Sequence, residues 1–360
     1  MRRALTIILL AVLAIGTATA WGAWALSQPY RNFAAEGVFV DVPRGATGRT
    51  ISGLLAGRGV IRNRLLFEGL MRWRSDRTLQ AGEYFFGRPA TAFEVFETLA
   101  LGRVFVRELL VPEGYTIFEI ADLVEREGLT TREAFLAAAR DPALVGSFAP
   151  TAPSLEGFLF PATYQFPRHL SGQEIVAAML RRFQREWETI LAESPNPAGL
   201  TMHQAVILAS LVERETRQPE ERPLVAGVFL NRLRRRFPLQ CDPTVVYALE
   251  LAGQYKGRLL LRDLRFRSPY NTYRRTGLPP GPIANPGAMS LRAALNPAAT
   301  DHIYFVANAE GGHIFSRTLT EHNRNVARYR QLLAQQRNAA RISSASNPPG
   351  APSSGSQRSP

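Results

Sequence analysis

The pattern of apolar and polar positions divides this chain into three parts. Residues 4–26 form an uncharged, mostly apolar run, long enough to cross a hydrocarbon layer of about 30 Å as a helix. After a linker at 27–37, apolar residues recur at helix and strand spacings through residue 338, which predicts an α+β fold. The last part, 339–360, is rich in Ser, Pro and Gly and has almost nothing to bury. It therefore predicts a disordered tail.

The folded part begins with a strand-turn-helix pattern that occurs twice. The segment that starts at Phe39 aligns without gaps with the segment that starts at Glu108. Identical residues occupy corresponding positions: Val42/Val111, Pro43/Pro112, Gly45/Gly114, Thr47/Thr116, Ile51/Ile120, Leu54/Leu123 and Gly59/Gly128. In both copies a Pro-x-Gly turn joins a short strand to an amphipathic helix, which ends at a glycine suited to a left-handed cap. The alternative to a true repeat is a capping pattern that arose twice by convergence.

The first copy is predicted to belong to a small βααβ body at 38–106, completed by a helix at 64–74 and a strand at 82–86. Residues 107–338 are predicted to form a mixed, mainly helical domain. Capping-box sequences mark three helix starts there: Thr130/Glu133, Ser171/Glu174 and Thr201/Gln204.

Further signals in this second domain predict caps and a hairpin. Asp242 followed by a proline has the form of an N-cap with proline at the first helical position. Thr320 is predicted to cap the last helix. Two alternating segments, His302–Val306 and His313–Phe315, flank a Gly-Gly pair and predict a β-hairpin.

Glu213 is the strongest candidate for chemistry. It follows the longest uninterrupted apolar stretch of the folded part, 205–212, in which Ser210 is the one polar residue, so its helix is predicted to be buried. Desolvation raises the pKa of a carboxyl, and a raised pKa suits a group that delivers a proton near neutral pH. The alternative is a surface carboxylate paired with Arg217 one helical turn later.

Two other segments could contribute to a site. Glu156 is the one carboxylate in an aromatic, apolar stretch at 154–166, and a buried carboxyl there would need partners. A long loop at 268–287, rich in Pro, Gly and Tyr, is uncommon inside a compact domain unless it serves a site. Its residues Tyr270, Asn271 and Thr272 offer the hydroxyl, amide and aromatic groups that bind sugars.

The net charge of +13 predicts an anionic partner, such as nucleic acid, an acidic membrane surface or a wall polymer. Nucleic acid is the weakest of the three, because no zinc finger or aromatic-interleaved RNA motif occurs. Cys241 is the only cysteine, which excludes an internal disulfide and a cysteine-based metal cluster. His313 and His322 are too isolated to suggest a metal site, and no nucleotide or dinucleotide fingerprint is present, so neither metal nor cofactor is expected.

The N-terminus sets the compartment. Arg2 and Arg3 precede the apolar run and are expected to remain cytoplasmic, with the rest of the chain exported. The competing interpretation is a cleavable signal peptide, because Ala18–Ala20 resembles a small-residue cleavage site. Trp21 and Trp24 continue the run toward an interfacial anchor and favour a retained span. Under either interpretation the folded part acts outside the cytoplasm, which excludes most nucleic-acid substrates.

Five segments, in order after the membrane span, resemble the endolytic murein transglycosylases of the MltG/YceG type: LEGFLFPATY, ILASLVERET, LQCDPTVVYAL, SPYNTYRRTGLPPGPIANPG and IYFVANAEGGHIFS. The resemblance extends to about residue 330. It implies a peptidoglycan-binding, LysM-like subdomain at 38–106, a catalytic domain at 107–338, and a catalytic role for Glu213. Cys241 departs from the small polar residue expected at that position.

The resemblance implies a specific reaction. Such an enzyme cleaves the bond between N-acetylmuramic acid and N-acetylglucosamine within glycan strands, without water, and leaves 1,6-anhydro ends. One glutamate protonates the departing oxygen and then, as carboxylate, takes the proton of the muramic acid 6-hydroxyl. Glu215 would point nearly opposite to Glu213 on a helix, so it is a poor second catalyst. Glu156 remains either a supporting residue or a buried structural carboxylate.

The implied setting is the cell inner membrane, with the catalytic domain outside the cytoplasm, glycan strands as substrate and wall synthases as partners. In that setting the enzyme would terminate the elongation of nascent strands. Two alternatives use the same residues differently. One is a muramidase-type hydrolase in which Glu213 activates water, and the other is a scaffold that binds peptidoglycan without catalysis.

Overall fold

The computed structural model describes residues 2–168 and 170–346, and the chain divides into two compact units. The first unit runs to Glu108 and includes a returning segment, Gln165–His169. The second contains Leu109–Tyr164 and the chain from Leu170 onward. The division after Glu108 lies two residues beyond the boundary predicted between 106 and 107. The sequence did not indicate that a short later segment returns to the first unit.

The first element is a long apolar helix, α1, at Arg2–Ser27. Its stretch Leu5–Ser27 is long and apolar enough to cross a membrane, and most of its side chains are exposed. The predicted span at 4–26 thus corresponds to a real helix. Length and composition alone describe a signal sequence equally well.

The body of the first unit has the predicted βααβ order, with one helix added. Its elements are β1 (Val38–Val42), α2 (Gly48–Gly57), α3 (Arg64–Trp73), β2 (Gly82–Phe86) and α4 (Ala92–Ala100). The two strands pair antiparallel, from Val38 opposite Phe86 to Val42 opposite Gly82. One apolar cluster fills the space between the strands and the three helices; among its fully buried members are Leu55, Phe67, Tyr84, Phe96 and Leu99.

The two copies of the repeated pattern fold alike. The second copy consists of β3 (Arg107–Leu110) and α5 (Ile117–Arg126). Equivalent residues adopt the same conformation in the two copies: Gly45 and Gly114 (φ 74° and 79°), Gly59 and Gly128 (φ 71° and 63°), and Thr47 and Thr116 as N-caps. The glycines occupy the left-handed region that disfavours other residues, so the Pro-x-Gly turn and the helix stop are both confirmed.

The second unit is mainly helical, as predicted. Its remaining elements are α6 (Arg132–Ala139), α7 (Gly172–Glu193), α8 (Met202–Glu215), α9 (Arg222–Arg234), α10 (Asp242–Leu251), α11 (Ala288–Leu295), β5 (Tyr304–Ala307), β6 (His313–Ser316) and α12 (Leu319–Ser346). The strand β4 (Thr163–Phe166) begins in this unit, and its last two residues belong to the first unit. The strand β4 pairs with β3, and β5 pairs with β6 as the predicted hairpin. Helix α8 packs against α9, α10 and α11, so it lies at the centre of this unit.

The capping boxes at Ser171 and Thr201 are confirmed, whereas the one at Thr130 is wrong. Helix α6 begins one residue later, and Thr131 accepts a hydrogen bond from the backbone N–H of Ala134. The reason lies in the first helical residue, Arg132, whose backbone N–H donates to the Glu125 carboxylate of α5. This contact fixes where the helix can start.

The last helix also starts earlier than predicted and extends further. Thr318, not Thr320, accepts from the backbone N–H of Glu321, whose carboxylate accepts in return from the Thr318 N–H. The true capping box is therefore Thr318-x-x-Glu321. Helix α12 continues to Ser346, so residues 339–346 of the predicted disordered tail are helical. The rest of that predicted tail, 347–360, lies outside the described residues.

Helix α10 begins with Asp242 inside the helix, which corrects its predicted role as N-cap. Cys241 occupies the N-cap position and makes no side-chain capping bond. The Asp242 carboxylate accepts a hydrogen bond from the Tyr273 hydroxyl instead. A partner from the 268–287 loop thus replaces the local backbone N–H that an N-cap would bind.

Candidate active site

Glu213 lies at the end of a helix that is buried on every side. All residues from Ala205 to Val212 are buried, including Ser210, whose hydroxyl donates to the Ile207 carbonyl and accepts from the Ile283 N–H. The Glu213 side chain is only 6% exposed. The burial predicted from the apolar run is confirmed.

The Glu213 carboxylate has two partners, and neither is Arg217. Arg222, the first residue of α9, donates from Nη2 to Oε1 at 3.0 Å, and its side chain is 8% exposed. The backbone N–H of Gly287, at the start of α11, donates to Oε2 at 3.0 Å. The alternative of a surface pair with Arg217 is therefore wrong. A guanidinium and a helix N-terminus both stabilise the ionised form of a carboxyl.

A second carboxyl, Glu113, shares the same guanidinium. It belongs to the Pro-x-Gly turn before α5, and its Oε2 lies 3.7 Å from Nη1 of Arg222. Desolvation, followed by the nearby Glu213 charge, raises the pKa of Glu113, and Arg222 offsets part of that rise. Its side chain is 48% exposed, in contrast to that of Glu213.

The sequence did not identify Glu113 as a site residue, although the alignment of the two repeat copies shows an unusual charge at this position. In the alignment of the two copies, Glu113 corresponds to Arg44. A charge reversal at one position of an otherwise similar turn distinguishes the second copy from the first. Nothing in the local pattern indicated that this turn meets the end of α8.

Two glycines allow the turn, the end of α8 and the start of α11 to approach one another. A Cβ on Gly287 would lie 1.9 Å from Oε1 of Glu113, so no larger residue fits there without movement. A Cβ on Gly114 would lie 3.4 Å from Cγ of Glu213. The Gly114 carbonyl accepts a hydrogen bond from Arg214 at 2.9 Å, which ties the turn to α8.

Glu156 is buried beneath this turn, with 1% of its surface exposed. Its carboxyl accepts from the Ile117 N–H at 3.0 Å and from the Asn285 side-chain amide at 2.8 Å, and the Tyr247 hydroxyl is a further partner. Burial raises the pKa of Glu156 to about 8, although the Ile117 and Tyr247 hydrogen bonds lower it in part. The predicted need for partners is thus met by three groups.

Asn285 connects Glu156 to the turn that carries Glu113. Its side-chain amide donates to the Tyr115 carbonyl at 2.9 Å, and its backbone N–H donates to the same carbonyl at 2.9 Å. Its own carbonyl accepts from the Gly114 N–H at 2.8 Å. Since Asn285 lies two residues before Gly287, one network positions the turn and the donor that faces Glu213.

The loop residues Tyr270, Asn271 and Thr272 lie in the protein interior. Their exposed fractions are 8%, 0% and 2%. The Asn271 amide donates to the carbonyls of Leu264 and Phe266, and the Thr272 hydroxyl accepts from the N–H of the α10 N-cap residue. The hydrogen-bonding groups of Asn271 and Thr272 are therefore used within the protein, where they tie the loop to the preceding segment and to α10.

Glu215 faces away from Glu213, as the helical spacing predicted. It lines a pocket of about 360 Å³ together with Asp242, Tyr273 and His313, and Glu213 is not among the residues that line this pocket. Burial raises the pKa of Glu215. Within residues 2–168 and 170–346, no cluster of three or more His, Cys, Asp or Glu side chains could hold a metal ion.

Comparison with known families and proteins identifies the relatives of this chain. The YceG-like family matches residues 40–328. A Bacillus subtilis protein named endolytic murein transglycosylase is 33% identical over 333 residues, covering 88% of this chain and 91% of that protein. A Streptococcus pneumoniae protein of the same name is 30% identical over 326 residues, which cover 81% of this chain and 58% of that longer protein.

The fold has a counterpart among solved structures. The crystal structure of a YceG-like protein from Listeria monocytogenes is 33% identical in sequence and superposes with a TM-score of 0.53. The match covers 81% of this chain and 99% of that one. Sequence and structure thus point to the same group of proteins.

Proposed function

This chain belongs to the YceG-like family, and on that premise we propose that it is an endolytic peptidoglycan transglycosylase. It cleaves the bond between N-acetylmuramic acid and N-acetylglucosamine within glycan strands and leaves 1,6-anhydro ends. Relatives named endolytic murein transglycosylase support this activity. The observation that carries the proposal is the Glu213 carboxyl, almost buried and held by Arg222 and Gly287.

The reaction needs an acid for the departing oxygen and a base for the 6-hydroxyl of the muramic acid. Glu213 is the catalytic carboxyl, and in the simplest form of the mechanism it acts first as the acid and then as the base. Arg222 and the Gly287 N–H stabilise its negative charge after the proton has left. Ordinary glycosidases place two carboxylates around the bond so that one of them can deliver a water molecule or form a covalent intermediate. An internal hydroxyl makes the water unnecessary here.

Glu156 acts as a positioning residue. Its contacts with Ile117 and Asn285 support this role, because they lie behind the turn and the loop that face Glu213. The sequence predicts that Tyr270, Asn271 and Thr272 bind substrate. Their burial favours a structural role instead, in which they fix the loop that leads to Gly287.

The first unit binds peptidoglycan as a LysM-like subdomain, and α1 anchors the chain in the inner membrane. The βααβ order of β1, α2, α3 and β2 supports the first assignment, and the apolar length of α1 supports the second. Arg2 and Arg3 stay cytoplasmic under the positive-inside rule, so both units act outside the cytoplasm. In this location the enzyme meets nascent strands and terminates their elongation beside the wall synthases.

Mass analysis of the fragments released from purified peptidoglycan tests the activity. The full chain in detergent should release anhydro-ended fragments, and Glu213→Gln should release none. Glu133→Gln, which changes an exposed carboxylate of α6, is the matched control and should behave as the wild type. Fragments heavier by one water would indicate a hydrolase. Binding to peptidoglycan without any fragments from the wild type would indicate a scaffold.

A further inference from the structure

The candidate site contains two carboxyls around one guanidinium, and the two differ in their surroundings. Both oxygens of Glu213 are occupied, one by Arg222 and the other by the Gly287 N–H. The partner of Glu113 is the same Arg222, whose Nη1 lies 3.7 Å from Oε2, and the carboxyl is otherwise largely exposed. Glu213 is thus bound on both sides by the protein, whereas Glu113 is open to a ligand.

The two carboxyls also differ in solvent exposure, and Glu113 is again the more accessible one. The Glu213 side chain is 6% exposed and that of Glu113 is 48% exposed. A group that protonates a glycosidic oxygen must come within hydrogen-bond distance of that oxygen. Of the two carboxyls, Glu113 can do so without any rearrangement of the protein.

We propose that Glu113 is a second catalytic residue, which protonates the departing glycosidic oxygen while Glu213, as carboxylate, takes the proton from the 6-hydroxyl of the muramic acid. This inference rests on the proposed function. It assigns the roles of general acid and general base to two residues, where a single carboxyl would otherwise perform both. Glu213 already accepts hydrogen bonds from two donors of the protein, and a carboxyl positioned as an acceptor suits a base. The open carboxyl of Glu113 suits an acid.

The step balances without water or any co-reactant. The bond between the anomeric carbon of N-acetylmuramic acid and the oxygen of N-acetylglucosamine breaks, and that oxygen receives the proton of Glu113. The 6-hydroxyl oxygen forms a new bond to the anomeric carbon, and its proton goes to Glu213. The pair then holds one proton as before, and transfer from Glu213 to Glu113 through solvent restores the starting state.

The charges around Glu113 favour one shared proton. Two carboxylates face one guanidinium, and a second negative charge beside the nearly buried Glu213 is unfavourable. Burial and the Glu213 charge raise the pKa of Glu113, and Arg222 opposes them. Arg214, which binds the carbonyl of the adjacent Gly114, is itself paired with Glu119 at 3.8 Å. An acid with a raised pKa keeps its proton to a higher pH.

Glu113→Gln, assayed on two substrates, tests the proposal. The first substrate is the natural glycan, whose departing oxygen needs a proton. The second is a short glycan whose terminal N-acetylmuramic acid carries nitrophenolate at the anomeric carbon, a leaving group that needs none. Glu113→Gln should lose about 10²–10⁴-fold in kcat/KM on the natural glycan. It should stay within about threefold of the wild type on the nitrophenyl substrate, since no acid is required there.

Two further variants complete the experiment. Glu213→Gln should fail on both substrates, because the 6-hydroxyl still needs a base, and Glu133→Gln should match the wild type on both. The kcat/KM of the wild type on the natural glycan should fall at high pH as Glu113 ionises, and Glu113→Gln should lack that fall. If Glu113→Gln does not fold, Glu113→Asp serves in its place. This variant should shift the pH at which kcat/KM on the natural glycan falls at the alkaline end. It should also lose more activity on the natural glycan than on the nitrophenyl substrate.

The outcomes separate this inference from the proposed function. Equal losses of Glu113→Gln on both substrates would mean a structural role for Glu113 and would overturn the inference, as would full activity on the natural glycan. With Glu113→Asp, an unchanged alkaline limb or equal losses on the two substrates would overturn it in the same way. If the wild type itself releases no anhydro-ended product, the proposed function fails, whatever the variants show.

Discussion

The backbone N–H of Gly287 donates to the Glu213 carboxylate at 3.0 Å, and the α-carbon of the same glycine packs against Glu113. One residue at the start of α11 therefore contacts both carboxyls of the candidate site. Glycine is present because of space and not because of backbone conformation, since φ of Gly287 is −78°. Any side chain at this position would have to displace Glu113.

Replacing Gly287 with alanine is expected to impair catalysis more than folding. The new Cβ would lie 1.9 Å from Oε1 of Glu113, so the Glu113 carboxyl must move aside by about an ångström or more. A shift of that size lowers kcat/KM by about 10²-fold. Steady-state rates on the natural glycan and the thermal unfolding midpoint measure the two effects.

Gly69→Ala is the matched control for this variant. Gly69 lies in α3, and an added Cβ there meets nothing within 4 Å. Activity should be unchanged, and the helix should gain stability because alanine is a better helix former than glycine. If Gly287→Ala keeps wild-type rates, the close packing of Gly287 against Glu113 does not matter for the reaction.

Arg222 is expected to contribute strongly to stability through Glu213. Both side chains are almost buried, and Arg222→Ala would leave the Glu213 carboxylate in the interior without its cation. Removing one partner of a buried ion pair lowers the free energy of unfolding by about 3–5 kcal/mol. Urea denaturation, followed by circular dichroism, measures the loss.

A double variant identifies the source of that loss. In Arg222→Ala/Glu213→Gln no buried charge is left unpaired, so the double variant should be more stable than the sum of the two single changes predicts. Strict additivity would show that Arg222 stabilises the protein through contacts other than Glu213.

The sequence predicts that Glu213 is buried, but it does not predict which residues contact the Glu213 carboxylate. Eight buried residues in a row, Ala205–Val212, form a local pattern, and local patterns also revealed β1, β2 and the β5–β6 hairpin. Gly287 and Glu113 reach Glu213 through the tertiary fold, and Gly287 is separated from Glu213 by 74 positions. No spacing rule links residues so far apart.

The same limit explains the displaced N-cap of α10. The sequence Asp-Pro fits an N-cap at Asp242 by local chemistry, but the Tyr273 hydroxyl binds that carboxylate from a loop distant in the sequence. The composition of that loop predicts that its polar residues bind sugars, because their side chains carry hydroxyl and amide groups. Their burial depends on how the loop packs, and composition does not reveal that.

Asn271 is expected to affect folding and not substrate affinity. Asn271→Ala removes the donors for the partly buried Leu264 and Phe266 carbonyls, and the loss of these hydrogen bonds lowers the free energy of unfolding by about 1 kcal/mol. The KM of the folded fraction for the natural glycan should match that of the wild type. Denaturation curves and steady-state kinetics on the same preparation separate the two effects. An increase in KM without loss of stability would indicate that Asn271 binds substrate after all.

Glu156 is expected to make the stability of the second unit depend on pH. Its pKa is about 8 in the folded protein and 4.5 as the ordinary value, so the folded state retains the proton where the unfolded chain has lost it. The contribution of the protonated carboxyl is fully present below pH 4.5, declines as the pH rises from 4.5 to about 8, and is gone above that value. Glu156→Gln carries no ionisable group, so its unfolding free energy should vary less over this window than that of the wild type. Urea denaturation at a series of pH values, with Glu133→Gln as the control for an exposed carboxylate, measures the difference, and parallel curves for Glu156→Gln and the wild type would rule out a protonated Glu156.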